Sequence, residues 1–412
     1  MTWDAKFAQR TTQMKRSTVR EILKLTAKPE VISFAGGLPA PELFPVERIK
    51  HASDTVLSER GREVLQYSTS EGMPELRAWI AERMMRDYHG ALKIHPDNIL
   101  ILSGSQQALD LVARVLLDEK DRVLVENPTY VGMLSAWKPY DLDFEAVATD
   151  HDGLDVDALA HILATEAPHK LLYSIPSFQN PQGTTLSLAR RQRLVELLMQ
   201  YDLPMYEDDP YGALVYEGER LPSVLAVEMQ ARKAQSLDEC QVMYAGTFSK
   251  TLTPGLRVGW IAAAYPVIDK LVQAKQATDL HTSTLSQFIT YEMVRDGNFL
   301  DEHVNMLRRV YKERRDLMLT TMSESFPEGV TWTKPSGGLF TMVTLPAHMD
   351  AAEVLREAVQ QNVAFVPCAD FFIGDSGHNS FRLNYSNAQP ERIVEGIRRL
   401  GGVLKAMMVK TL

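Results

Sequence analysis

A lysine sits among small hydroxyl residues in Gly246-Thr247-Phe248-Ser249-Lys250-Thr251, and Arg257 follows shortly. Such a lysine can bind phosphate or serve as an amine nucleophile. The stretch is not a Walker A loop, which needs GxxxxGK followed by Ser or Thr. Upstream, three acids run together in Glu207-Asp208-Asp209-Pro210-Tyr211. They could hold a metal ion, although no histidine lies near them in sequence, or they could present a carboxylate beside a phenol. Ser103-Gly104-Ser105-Gln106 leads into a helical pattern. A small, hydroxyl-bearing loop at that position receives an anion or caps the helix. Tyr130 in ENPTY and Asn180 in QNPQG mark two more loops, where a ring could stack and an amide could bond, or where both merely pack and turn.

The elements that must position these residues alternate between strand and helix. Short apolar runs at 99–102, 122–125, 144–147, 171–175, 204–207, 242–245 and 257–264 read as strands. Helical patterns at 108–117, 156–164 and 187–200 separate them, and a further helix after Tyr130 must stop before Pro139. Continuous apolar strands between helices predict a mostly parallel sheet covered on both faces. In such a sheet ligands bind at the carboxyl ends of the strands. The loops named above all fall there.

After Pro266 the texture changes. Helices are expected at 267–277, 285–294, 300–323, 352–359 and 390–407, mixed with short strands at 330–333, 339–344, 363–366 and 381–384. This predicts a smaller α+β body, with the helix at 300–323 crossing into it from the first.

Composition narrows the function classes. The 412 residues are 45% hydrophobic and 24% charged, an ordinary globular balance. A net charge of −9 argues against nucleic acid as the main partner. The two cysteines, Cys240 and Cys368, form no CxxC pair and support neither a disulfide framework nor a zinc site. The longest apolar run, 258–268, is about half the ~20 residues of a membrane span. The N-terminus is basic but has no apolar core of a secretory signal. The expectation is a cytoplasmic protein bound to neither membrane nor nucleic acid.

Taken together, the strand ends offer an anion cradle, a stacking ring, a carboxylate, a phenol and an amine. Pyridoxal 5′-phosphate needs that set. At this point the chain resembles a family. STVREILKL, ISFAGGLPAPELFP, LQYSTSEGMPELR, SGSQQALDL, ENPTY, PSFQNPQG, YEDDPYG, GTFSKTLTPGLRVGW and FRLNYS occur in the order found in class I aminotransferases of fold type I. The branch containing 2-aminoadipate and kynurenine aminotransferases is the nearer match. The resemblance runs from about Ser17 to Leu404.

The resemblance implies an α/β fold, that of the fold type I pyridoxal-phosphate transferases. It comprises a large domain (46–298) with a mostly parallel seven-stranded sheet, and a smaller α+β domain (299–412). Residues 1–45 would pack with the small domain and cover the site. Lys250 would form a Schiff base with the cofactor and move the proton between Cα and C4′. Asp208 would pair with the ring nitrogen, and Tyr211 and Asn180 would bond the ring oxygen. Tyr130 would stack on the ring. Ser105 and Gln106 would hold the phosphate, with Thr247, Ser249 and Arg257 closing the cup. Tyr67 would reach the phosphate of a neighbouring subunit, so a homodimer with shared sites is implied. Arg382 would grip the substrate α-carboxylate, while Gly36 and Gly37 let the N-terminal segment lie close over it. Arg20 would read an acidic side chain. No metal is implied.

The implied activity is ping-pong transfer of the α-amino group of an L-amino acid to 2-oxoglutarate, with 2-aminoadipate, aromatic or leucine-like donors. A lyase or decarboxylase using the same cofactor is the runner-up. A cofactor-sensing regulator is the more distant alternative.

Overall fold

The computed structural model describes residues 3–14, 16, 21–22 and 28–410. After a short strand β1 (Ile32–Ser33), the chain builds β2 (Ile99–Leu102), β3 (Arg122–Asn127), β4 (Asp143–Asp150), β5 (Gly153–Leu154), β6 (Leu171–Ser174), β7 (Met205–Asp208), β8 (Val242–Thr247) and β9 (Gly259–Ala262). Strands β2 to β9 form one sheet in the order β2-β9-β8-β7-β6-β3-β4-β5. β3, β4, β6, β7 and β8 pair in parallel, and β9 runs antiparallel to both β8 and β2. The seven expected strands are present. The eighth, β5, is a two-residue antiparallel partner of β4, too short to leave a periodic signal.

Burial follows the strand period of two. On β3, Leu124 faces one core, while Val123 and Val125 face the other. On β6, Leu172 belongs to the first core, and Leu171 and Tyr173 to the second. On β7 and β8, Met205, Val242 and Tyr244 join the first core, and Tyr206, Met243 and Ala245 the second. Helices cover both faces, which is why β6 and β7 are buried along their whole length. Helix Ser105–Leu116 lays Ala108, Leu109, Leu111 and Val112 on the second core. Helix Leu188–Gln200, capped by the Ser187 hydroxyl, lays Leu194, Leu197 and Leu198 on the first.

The remaining strands are β10 (Thr331–Trp332), β11 (Phe340–Thr344), β12 (Val363–Ala364), β13 (Val366–Pro367) and β14 (Ser380–Asn384). They make an antiparallel sheet, β10-β11-β14-β13, and a separate parallel pair of β1 with β12. The single strand expected at 363–366 is therefore divided. Its first half pairs with β1 and its second with β14, and Phe365 between them stacks on Phe381 at 4.2 Å. Helix Phe299–Ser325 joins the parts. Leu300 and Val304 enter the first core, Leu307 and Tyr311 the second, and Met318 and Met322 the core beneath β11 and β14. Among the described residues no helix is long and apolar enough to cross a membrane.

Candidate active site

A cavity of about 960 Å³ opens at the carboxyl ends of the parallel strands. Ser105, Gln106, Tyr130, Asn180, Asp208, Tyr211, Thr247, Ser249, Lys250, Arg257, Arg382 and Gly37 all line it. Tyr67 does not. It is 79% exposed, with its ring edge-on to His281 at 5.9 Å. Arg20 lies outside the described residues.

One wall has the groups to cradle an anion. After β2, Gly104 adopts a φ of +85° and turns the chain into helix Ser105–Leu116. The first N–H groups of that helix have no intrahelical acceptors and carry its positive dipole end. The φ of Gly104 favours glycine, and a Cβ there would lie 2.4 Å from the Arg257 guanidinium and displace it. Arg257 donates to the Ser103 carbonyl at 3.1 Å. β9 is antiparallel, so its amino end brings Arg257 to the edge where the other strands end. At the tip of β8, the Thr247 hydroxyl donates to the Ser249 hydroxyl at 3.0 Å and accepts from the Ser249 N–H at 3.1 Å.

Lys250 follows this turn. Its ammonium donates to the Gly37 carbonyl at 2.7 Å. Burial draws its pKa down to about 8, helped by the positive charges of Arg382 and Arg257. A neutral amine is thus accessible near physiological pH.

Of the three acids, only Asp208 lines the cavity. It shares the second face of β7 with Tyr206, whereas Glu207 points to the first face and accepts from the N–H groups of Val224 (2.8 Å) and Leu225 (2.9 Å). Asp209, beyond the strand, accepts from the Tyr244 hydroxyl at 2.7 Å. The metal reading of the run finds no support in this geometry: Asp208 lies on the opposite face of β7 from Glu207, and among the described residues the three acids form no ligating cluster. Asp208 Oδ2 accepts from the Tyr173 hydroxyl at 2.8 Å, while buried Oδ1 has no partner. Burial pushes this carboxyl up to about 7, against the Tyr173 hydrogen bond. An unpaired buried carboxylate oxygen marks a place for a cationic donor.

Tyr211 is buried, its hydroxyl held well above the ordinary phenol range by desolvation and hydrogen-bonded to Asn180. Asn180 Oδ1 in turn accepts from Arg382 Nη1 at 2.7 Å. Arg382 Nη2 donates to the Ala35 carbonyl at 2.8 Å, and its Nε is buried without a partner. The guanidinium lies 4.1 Å from the Phe340 ring centroid and 5.3 Å from that of Phe371, which fix its plane. Arg382, on β14, and Asn180, after β6, thus meet across the two sheets.

Three contributors escaped the sequence reading. Tyr173 orients Asp208, and its signal was a hydroxyl tip inside the apolar run LLYS, since a buried tyrosine O–H needs a partner. Glu126 is a lone acid in a buried strand, its pKa pushed up to about 7 by burial. It accepts from Ser174 Oγ (2.8 Å), Ile175 N (3.1 Å) and Gln179 Nε2 (3.3 Å), bracing the loop that carries Asn180. Phe340 has no local signal and arrives only through β11.

Comparison with known proteins places the chain in a family. The family model for aminotransferase class I and II matches residues 29–400. A 2-aminoadipate transaminase of Thermus thermophilus is 42% identical over 408 residues, covering 99% of this chain and 98% of the relative. Aromatic-amino-acid aminotransferase 1 of Thermococcus litoralis is 43% identical, covering 98% and 95%. Among solved structures, an α-aminoadipate aminotransferase of Thermus thermophilus, complexed with N-(5′-phosphopyridoxyl)-L-leucine, superposes with a TM-score of 0.91 at 41% identity over 99% of this chain and 100% of that one. A match spanning nearly the whole chain, with the fold and the strand-end constellation in place, makes this protein an enzyme of the class I and II aminotransferase family.

Proposed function

We propose that this aminotransferase uses pyridoxal 5′-phosphate to move the α-amino group of an L-amino acid to 2-oxoglutarate in two half-reactions through one pocket. The observation that carries the reading is the meeting, in one cavity, of the Lys250 amine, the partnerless Asp208 Oδ1 and the anion cradle. When bound, the cofactor supplies a carbonyl carbon that exchanges the amino group and a protonated ring that takes up negative charge. Asp208 Oδ1 would accept from the ring nitrogen, and Tyr211 and Asn180 would bond the ring oxygen. Tyr130 would cover one face of the ring. Ser105, Gln106, Thr247, Ser249 and Arg257 would hold the phosphate. Lys250 would anchor the cofactor, then take the proton from substrate Cα and return it, a task that suits an amine titrating near 8. Arg382 would take the α-carboxylate as a fork. Tyr67, exposed and outside the lining of its own cavity, would serve that of a second copy in a homodimer.

Substrates with acidic, aromatic and aliphatic side chains are all represented in the names and the complex of the relatives, and glutamate must fit the return half-reaction. Among the described residues, Arg16 is the cation that the N-terminal segment brings to the wall of the cavity. Titration of the holoenzyme with glutamate, 2-aminoadipate, leucine and phenylalanine tests the reading. Each is expected to shift the visible absorbance of the bound cofactor, and 2-oxoglutarate to restore it. If none does, the protein is not an aminotransferase for these donors and a lyase reading gains.

Asp208 also makes a separable prediction about stability. Its carboxyl titrates near 7 in the folded protein, against about 3.9 in an unfolded chain. The native state therefore holds a proton that the unfolded state has lost, so stability falls as pH rises from about 4 through 7. Asp208→Asn removes that charge. The cofactor-free variant should be more stable than wild type at pH 8, by on the order of 1–3 kcal/mol, with the gain vanishing toward pH 4, while transamination is lost. Chemical denaturation at both pH values checks this. An equal effect at both would refute the buried-charge account.

A further inference from the structure

Lys275 is a buried cation that the mechanism above does not use. It lies on helix Tyr265–Gln276 with 0% of its surface exposed, an uncommon state for lysine. Its ammonium donates to Gln107 Oε1 at 2.8 Å and to the two Asp279 oxygens at 2.8 and 3.0 Å. Gln107 Oε1 also accepts from the Ser103 backbone N–H at 2.8 Å, and Gln107 Nε2 donates to Asp279 Oδ2 at 2.8 Å. The Ser103 hydroxyl donates to that same oxygen at 3.1 Å. Ser103 is thus held through both its backbone N–H and its side chain. Its carbonyl holds Arg257 on the other side.

Everything in this network converges on the turn that precedes Ser105 and Gln106. Gly104 gives that turn its conformational freedom, so something outside it must fix the shape. Lys275 and Asp279 lie beyond β9 in sequence and reach the turn without lining the cavity. Removing Lys275 leaves Gln107 Oε1 with one donor instead of two, and leaves the Asp279 carboxylate unneutralised near the cradle.

We infer that Lys275 is a positioning residue for the phosphate cradle: through Gln107 and Asp279 it locks the turn at 103–106, and with it Arg257, in the form that receives a phosphate dianion. This rests on the proposed reading of that wall as a phosphate site. A lysine that merely stabilised the fold would affect every ligand alike. A lysine that shapes the cradle affects the phosphate-bearing cofactor selectively.

The test is binding rather than turnover. Cofactor-free wild type, Lys275→Met and Gln107→Leu are titrated with pyridoxal phosphate and, separately, with pyridoxal, following the absorbance of the bound cofactor. Wild type should bind the phosphorylated form much more tightly. Lys275→Met should raise the Kd for pyridoxal phosphate about tenfold, leaving that for pyridoxal within about twofold. Gln107→Leu, which spares the Lys275–Asp279 pair and sits nearer the surface, should reproduce the selective loss and covers the case in which Lys275→Met fails to fold. Equal weakening of both ligands, or no weakening of either, overturns the inference. If wild type itself does not discriminate between the ligands, the cradle reading falls, and the role of Lys275 with it.

Discussion

Replacing Lys250 by alanine abolishes transamination: turnover is expected to fall by at least about 10⁴-fold, since one side chain supplies both the anchoring amine and the proton transfer. The expectation rests on where the amine stands. It projects from the turn after β8 into the cavity, donates to the Gly37 carbonyl at 2.7 Å, and has a pKa drawn down to about 8 by burial and by the charges of Arg382 and Arg257. The depressed pKa has a sign that can be read directly. The neutral amine is the nucleophile, so the rate at which the cofactor-free protein captures pyridoxal phosphate should climb as pH rises toward 8 and level off above it. Stopped-flow absorbance measures that rate, and a steady-state coupled assay measures turnover. A variant retaining turnover within about tenfold of wild type, or a capture rate flat between pH 6 and 9, would remove Lys250 from the role given to it.

Arg382→Ala should produce the second largest loss. Catalytic efficiency is expected to fall about 10²- to 10⁴-fold, as for truncation of one member of a desolvated charged contact, with most of the change in KM. The side chain is 3% exposed, fixed between Phe340 and Phe371, tied to Asn180 and Ala35, and left with a partnerless Nε. A guanidinium held so rigidly, with donors unspent, has already lost the entropy that gripping a carboxylate would otherwise cost. Arg382→Lys keeps the charge but not the fork, and should recover only part of the loss. Amines without an α-carboxylate give the control, because their slow reaction should be insensitive to either substitution. An unchanged KM for amino acids in Arg382→Ala would place carboxylate recognition elsewhere.

Residue types and their order alone establish which chemistry is on offer and where along the chain it falls. Alternating apolar runs and helical patterns located the strand ends, and the loops there offered Ser105, Tyr130, Asn180, Lys250, Arg257 and the acidic run 207–209, because turn chemistry and functional side chains are both local. Local pattern did not choose among Glu207, Asp208 and Asp209; only the family resemblance pointed to Asp208. That choice belongs to the sheet: successive side chains on β7 point to opposite faces, and the helices covering each face decide which one looks into a cavity and which caps helix Val224–Arg232. Nor did local pattern bring Arg382 to Asn180, a hydrogen bond between residues 202 apart in sequence, or seat the Tyr173 hydroxyl on Asp208, or carry Lys275 back to Gln107 and Asp279 to Ser103. Each of these contacts depends on which strands are neighbours and which helix lies behind them. Neighbour relations of that kind are set by burying a shared core. A buried polar atom then keeps its place only if the packed fold supplies its partner, which no local pattern of residues records.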